Sequence, residues 1–455
     1  MHLPADFLAS IKELPGYNEE RFINVHQNPE PLTSIRTNPL KLNDVTIAFS
    51  SVERIPWANY GYYLKDRPSF TFDPLFHAGA YYVQEASSMF LEHALEQLAD
   101  FSAPLKILDL SAAPGGKSTH IQSLISDESL LVSNEVIRNR AMVLKDNIIK
   151  WGAGNVVVTN NDPSAFAKMP GFFDVMVVDA PCSGSGLFRK DPDAVNEWSL
   201  NNVNLCSQRQ QRILASALPA LKENGLLIYS TCSYSTEENE MIGDWLVEKM
   251  GMKSEQLTIP SEWNIVETKG DKTNAYGYRF YPDKVKGEGF FLSCFTKFEL
   301  TEKIHFKPAK FERPGMDEKE ILRKWIRPGN EELIREHGII YAIPAGLLNE
   351  VAICRKVLNI QYWGTRIGEI MHKKLVPDHA LALSSLLNED LSSTSLEPED
   401  AIKYLQRQEM SMKPAATGWQ TVNYKGFKLG WINALANRIN NYYPKELRIL
   451  KQYKG

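Results

Sequence analysis

The sequence predicts an α/β fold whose centre, roughly residues 104–300, is a mostly parallel sheet covered by helices on both faces. Three observations predict it. Short apolar runs alternate with helical patterns along that stretch. The runs are apolar at consecutive positions, as strands buried on both faces are. Several of them stop at an acid or at a segment rich in Gly, Pro or Ser, and parallel sheets bind ligands at the carboxyl ends of their strands.

Composition supports this and excludes other classes. With 43% hydrophobic and 23% charged residues, the 455-residue chain is neither disordered nor collagen-like. At roughly 150 residues per domain it holds about three domains. No run approaches the roughly 18 apolar residues of a membrane span. The start, MHLPADFLASIKELPGY, lacks a basic n-region and a long apolar core, so it reads as a short amphipathic helix and not a signal peptide. Five cysteines, Cys182, Cys206, Cys232, Cys294 and Cys354, are odd in number and contain no CxxC. That argues against a disulfide framework or zinc ribbon and for the cytoplasm.

The elements follow in order. Ser34–Asn38, ended by Pro39, is strand-like within an opening of mixed short elements. Strands are expected at Ile107–Leu110, Leu130–Glu135, Asn155–Thr159, Asp174–Asp179, Leu226–Ser230 and Phe290–Phe295. Helices fall between them, at Lys117–Leu124, Arg138–Lys150 and Asn202–Leu221. KFELTEKIHFKPAKFERPG, charged and carrying two prolines, marks a boundary near 300. Residues 316–388 read as mixed α/β, and the polar Asn388–Ser395 as a linker before a helix opened by Pro398. The last forty residues read as short strands punctuated by Gly418, Gly426 and Gly430, then a helical stretch.

Charge is unevenly spread. The formal net charge is -4, yet residues 301–455 hold 24 Lys and Arg against 18 acids. Residues 413–455 hold eight basic residues against the single acid Glu446. Trp419, Tyr424, Phe427, Trp431, Tyr442, Tyr443 and Tyr453 lie among them. Cations with aromatics suit phosphates and stacked bases; an aromatic core under a basic surface has the same composition.

Four segments carry chemistry. Asp109–Thr119, DLSAAPGGKST, joins a strand to a helix with small residues that let a ligand approach the backbone. It approximates a phosphate-binding GxxxxGK[ST] loop, but Ser111 stands where the first Gly belongs and Pro114 removes an amide. Glu135 ends the next strand, where an acid accepts hydrogen bonds from ribose hydroxyls. Asp162 suits either an adenine-side contact or a helix N-cap ahead of Pro163. Asp179–Gly186, DAPCSGSG, and Tyr229–Ser235, YSTCSYS, each put a cysteine just past a buried strand. Neighbouring strands lie about 5 Å apart, so both thiols would face one cleft. Two thiols, an acid and a nucleoside cofactor suit methylation of cytosine C5. A thiol adds at C6, C5 attacks an electrophilic methyl, and loss of the C5 proton releases the thiol. Spacing does not say which cysteine attacks.

These segments, with RFYPDKVKGEGFF, HAGAYYVQEASSM and TSIRTNPLK, resemble the Sun-family RNA cytosine-5 methyltransferases. The far end, GWQTVNYKGFKLGWINALANRINNYYPKELR, resembles the RNA-binding end of family members that act on small-subunit ribosomal RNA. The resemblance implies a Rossmann-like S-adenosylmethionine-dependent core at 101–300, a small α+β N-terminal RNA-binding subdomain at 1–100, an α/β region at 301–390 and a PUA-like RNA-binding domain at 391–455. It implies that Ala112, Ala113, Pro114, Gly115, Gly116, Lys117 and Ser118, with Glu135, Asp162 and Asp179, hold S-adenosylmethionine. Cys232 would be the nucleophile and Cys182 would assist product release. Asp179 would touch the cytosine and Lys117 would organise the site. Ser111 departs from the family, where Cys is common. The expected partner is small-subunit ribosomal RNA or the small ribosomal subunit, bound by a monomer without metal or membrane. Arg189, Lys190, Arg279 and Lys286 are candidate phosphate contacts. Transfer RNA as substrate, a phosphate-loop NTPase and a non-enzymatic RNA-binding assembly factor remain as alternatives.

Overall fold

The apolar runs of the centre do form a parallel sheet in the computed structural model, which describes residues 2–299, 310–410 and 412–453. Ahead of it, β1 (Thr33–Thr37), β2 (Val52–Arg54), β3 (Gly61–Leu64) and β4 (Tyr81–Val83) make a small antiparallel sheet in the order β2-β3-β1-β4. Five parallel strands follow: β5 (Lys106–Asp109), β6 (Leu130–Asn134), β7 (Val156–Thr159), β8 (Phe173–Asp179) and β9 (Leu221–Thr231). Four antiparallel strands extend one side: β10 (Met252–Glu255), β11 (Val266–Lys269), β12 (Tyr276–Phe280) and β13 (Phe290–Lys297).

Downstream, β14 (Glu331–Glu336), β15 (Ile339–Pro344), β17 (Thr365–Met371) and β18 (Lys374–Pro377) form a second antiparallel sheet. Between its members, β16 (Ile360–Trp363) leaves to pair antiparallel with β7. The central order is therefore β11-β12-β13-β9-β8-β5-β6-β7-β16, a Rossmann-like mixed sheet, with β10 paired to β13. The chain runs from β5 outward to β7, then restarts on the other side at β8. Its switch point lies between β5 and β8, so the segments that follow those two strands flank the crevice.

Consecutive apolar positions are explained by the two faces. Ile107, Leu131, Val156, Val175 and Ile228 pack on one side with Leu144 and Ile148 of the helix Arg138–Trp151. Leu108, Val132, Val157, Met176 and Leu227 pack on the other with Leu214 of the helix Leu200–Ala217. Each strand thus feeds two cores, which is why its central positions are apolar one after another. The start of the chain is the expected short helix, Ala5–Ile11, with Phe7 and Ile11 buried.

The C-terminal region departs from expectation twice. The serine-rich segment is not a free linker: β19 (Ser393–Ser395) pairs parallel with β20 (Gly418–Tyr424). Its polarity is used internally, because Thr394 donates to Gln420 Oε1 (2.6 Å) and Ser393 Oγ accepts from Thr421 and Asn423. The final helical stretch is absent. After β21 (Phe427–Ala434) come β22 (Ile439–Asn441) and one short turn, Lys445–Leu447, behind Pro444. The boundary expected near 300 falls on 300–309, outside the described residues. Among the described residues no helix is long and apolar enough to cross a membrane.

Candidate active site

The segment after β5 is shaped by its neighbours. Ala112 N–H donates to Asn134 O (2.8 Å), and Asn134 Nδ2 donates back to Leu110 O (3.1 Å). Arg140 donates to Ala113 O and Asn147 to Pro114 O, so the helix Arg138–Trp151 holds the loop's outer side. Gly115 takes φ +116°, a conformation that requires glycine, and the helix Gly116–Gln122 starts next. Behind that helix sits Arg36 of β1, fully buried. It donates to Ser123 Oγ (2.8 Å) and Thr119 Oγ1 (2.6 Å) and stacks over Trp151. Burial lowers its pKa to about 9.

Three carboxylates end successive strands around this loop. Asp109 is fully buried; Ser118 Oγ donates to its Oδ2 (2.7 Å), while Oδ1 has no partner among the described residues. Burial raises its pKa to about 7, against the pull of Ser118 and Lys117. Glu135 Oε1 accepts from Ile137 N–H, and Arg140 stands 3.6 Å from Oε2. Asp179 lies between Lys117 Nζ (2.8 Å) and Ser230 Oγ (2.8 Å). Small residues over three acids form an edge suited to a nucleoside bearing a sulfonium cation. Asp109 was part of the loop motif but not among the expected ligands; its place at a strand end, like Glu135 and Asp179, was the available signal. Asp162 behaves differently. It is exposed, and its Oδ1 caps the turn Pro163–Lys168 through Ser164 N–H (2.9 Å).

β8 and β9 are neighbours, with Asp179 opposite Ser230. The Cys182 and Cys232 Sγ atoms consequently meet at 2.9 Å. Contact with the Cys232 sulfur, then burial, pushes the Cys182 thiol well above its usual range, so Cys182 keeps its proton. Cys206, Cys294 and Cys354 are buried elsewhere.

Beneath the two thiols sits Glu238, which sequence reasoning missed. Its carboxylate accepts from Ser183 N–H (2.8 Å), Ser183 Oγ (2.5 Å), Ser233 Oγ (2.6 Å) and Gln210 Nε2 (3.1 Å). Ser183 and Ser233 directly follow the two cysteines, so one buried acid fixes both loops. Burial raises its pKa. The Cys232 loop is tied further by Gly186 N–H, which donates to Cys232 O (2.8 Å). A Cβ on Gly186 would meet Gly289 O at 2.4 Å, so only glycine fits there.

Two of the four candidate phosphate contacts are placed otherwise. Arg279 is buried beside Glu240, donating to its Oε1 (2.6 Å) and to Tyr234 O (2.7 Å). It supports the Cys232 loop from behind and cannot reach a phosphate. The Arg189 side chain is only 8% exposed, beside Glu288. Lys286 pairs with Glu53 over the Tyr63 ring, and Lys190 is exposed. The N-terminal helix also reaches the site: the Phe7 ring packs on Phe188 (5.1 Å) and Trp198 (5.3 Å), in a cluster with Tyr234.

Comparison with known proteins gives matches along the chain. Residues 99–296 match the family model described as 16S rRNA methyltransferase RsmB/F. Residues 3–86 match the N-terminal domain of 16S rRNA methyltransferase RsmF, and residues 392–449 the methyltransferase RsmF PUA domain. Ribosomal RNA small subunit methyltransferase F of Shewanella piezotolerans is 30% identical, over 98% of this chain and 97% of its own. The protein of that name from Aeromonas salmonicida is also 30% identical, with the same coverage. Among solved structures, a methyltransferase homolog protein from Pyrococcus horikoshii superposes with a TM-score of 0.52 at 27% identity, over 65% of this chain and all of its own. NSun6 from Pyrococcus horikoshii shares the fold, with a TM-score of 0.55 at 21% identity over 65% of this chain and 98% of its own.

Proposed function

Because the chain belongs to the ribosomal RNA small subunit methyltransferase F family, we propose that it methylates C5 of a cytosine in 16S ribosomal RNA through a covalent bond from Cys232 to C6. The observation that carries this reading is the meeting of two thiols beside the Lys117–Asp179 pair, at the edge where the cofactor loop ends. S-adenosylmethionine supplies an electrophilic methyl group to that edge. Residues 112–118, Glu135 and Asp109 would hold it, with the Glu135 carboxylate balancing its positive charge.

The chain's own groups divide the remaining work. The target base leaves its stack to enter the cleft. Asp179, held by Ser230, faces the ring with Lys117 and orients the Lys117 ammonium, which balances the negative charge that develops on the ring when the Cys232 thiolate adds to C6. Addition turns C5 into an enamine-like carbon that can attack the methyl group. The C5 proton passes to water and its bonding pair closes the C5–C6 double bond as the C6–sulfur bond breaks; the Cys182 thiol, 2.9 Å from the departing Cys232 sulfur, can hand it a proton and regain one from water. Glu238 and Gly186 keep both sulfurs in register throughout. The family assignment favours ribosomal over transfer RNA, and no observation favours a phosphate-loop NTPase.

The test uses unmodified small-subunit ribosomal RNA, labelled S-adenosylmethionine and mass-spectrometric mapping of the product. Wild type should yield 5-methylcytidine at one position. Cys232→Ala should lower methylation by at least about 1,000-fold while cofactor binding stays within about twofold. Cys182→Ala should accumulate enzyme bonded to RNA. A methyl group on a ribose or an exocyclic nitrogen, or a Cys232→Ala variant that still turns over, would refute the mechanism.

A further inference from the structure

Beside the catalytic edge, against the N-terminal sheet, lies a groove of about 300 Å³ lined by Pro31, Arg67, Gln84, Arg189, Lys190 and Glu288 among others. It lies between the two halves of the site. Glu288 precedes Gly289, whose N–H donates to Gly186 O, and Gly186 holds the Cys232 loop. On the other side, Gln84 Cδ stands 3.8 Å from where a Cβ on Gly116 would lie. The groove thus borders the cofactor loop through Gln84 and the thiol loops through Glu288.

Its polar groups are left incomplete by the protein. Gln84 is 7% exposed, and its Oε1 accepts from Arg36 Nε (3.0 Å). Arginine can only donate, so this bond fixes the amide orientation and leaves Nε2–H facing elsewhere. Gln84 Nε2 has no partner among the described residues. Arg189 Nε and Glu288 Oε2 stand 3.8 Å apart, too far for a hydrogen bond, and neither atom has a hydrogen-bond partner among the described residues. A buried polar atom without a hydrogen bond is costly, so the free Gln84 amide beside the loosely paired Arg189 and Glu288 marks where a polar ligand supplies partners. Arg67 and Lys190 add positive charge at the exposed rim.

We propose that this groove is the subsite for the nucleotide adjoining the target base, with Arg67 and Lys190 taking its phosphate and Gln84 and Glu288 taking the polar edge of its base. The inference rests on the RNA methyltransferase reading. A base edge sets acceptors beside donors, matching an amide N–H and a carboxylate. A simple anion would leave Glu288 unmet. Its place beside the catalytic edge makes the chain that delivers the target base its natural occupant.

Two measurements test it. Gln84→Glu keeps the acceptor for Arg36 and removes the donor. Ribosomal RNA transcripts carrying each base on either side of the methylated cytosine are compared as substrates. Wild type should discriminate about tenfold at one flanking position; Gln84→Glu should flatten that to about twofold, raising KM with little change in kcat. The Arg67→Ala/Lys190→Ala variant should bind the unmodified transcript about tenfold more weakly, with the salt slope reduced by about 1.4 and cofactor affinity unchanged. Identical base preferences in wild type and Gln84→Glu, or unchanged affinity and slope in the double variant, would overturn the subsite. The binding titration needs no turnover. Wild type that binds RNA with the predicted slope but yields no 5-methylcytidine would count against the proposed chemistry alone.

Discussion

At the carboxyl edge of the central sheet, charge is buried; in residues 413–453 it is displayed. Asp109, Glu135, Glu238 and Glu240 lie at or below 7% exposure, each met by hydroxyls, amides or arginines. Lys413, Lys425, Arg438, Lys445, Arg448 and Lys451 are exposed. A buried charge needs fixed partners and so sets geometry; an exposed charge is screened and sets only attraction. The first region is built to hold atoms to a fraction of an ångström, and the second to gather a polyanion.

The comparison is broken most severely at Glu238. Glu238→Ala would leave the hydroxyls and N–H of Ser183, Ser233 and Gln210 unmet, lowering stability by roughly 3 kcal/mol or more. Loss of register between the thiols should cost about 100-fold in kcat. Glu238→Gln, which keeps one of the two acceptor oxygens and offers the serine hydroxyls a donor in place of the other, should recover part of the stability and part of kcat. Urea unfolding and single-turnover rates read the two effects; equal activity in both variants would deny Glu238 its positioning role.

On the basic side the effects are smaller and of another kind. Arg438 and Lys445 line a broad open groove with Tyr442. The Arg438→Ala/Lys445→Ala variant should weaken RNA binding several-fold and lower the salt slope by about 0.7 per contact, while kcat at saturating RNA is unchanged. A fall in kcat would show that the two regions are not separable. Deleting the whole region is a poorer test, because Leu429 and Ile432 share a core with Ala78 of the N-terminal region.

A further effect is a pH dependence that leaves the fold's contacts intact. Asp109 holds its proton to about pH 7 when folded, whereas the unfolded chain releases it near 3.8. Between those values the native state binds more protons, so this group's contribution to stability is full below pH 4 and fades as pH rises to 7. Asp109→Asn should flatten that slope in urea unfolding between pH 4 and 7; an unaltered slope would mean that Asp109 is ionised in the native protein.

The same contrast explains what was readable in the sequence. The five central strands were legible because burial on both faces writes consecutive apolar residues, and the thiols because strand ends carry compact motifs. The sequence around Asp162 suits two roles, and in the structure its carboxylate is used in a cap. Arg279 was misread because its partner, Glu240, lies 39 positions away. Glu238 and Arg36 act through residues that become neighbours only on folding. In the C-terminal region, aromatics interleaved with cations suited both a core and a binding face, and both occur. Trp431 and Tyr443 are buried, while Tyr442 and Tyr453 are more than 40% exposed. The expected final helix failed because Pro444 and the pairing of β22 with β21 commit that segment to extended chain.

The strand β16 carries a further consequence for how the chain is assembled. A ribosome has made almost the whole catalytic region by residue 300, yet β7 then ends the sheet with its outer row of N–H and C=O groups unpaired. Such an edge is a template for another chain. Only when Ile360–Trp363 emerges is the edge capped and Trp363 seated in the core. The second antiparallel sheet thus delivers a strand that keeps the catalytic region from pairing with its own copies, so the methyltransferase region cut out by itself would be prone to self-associate.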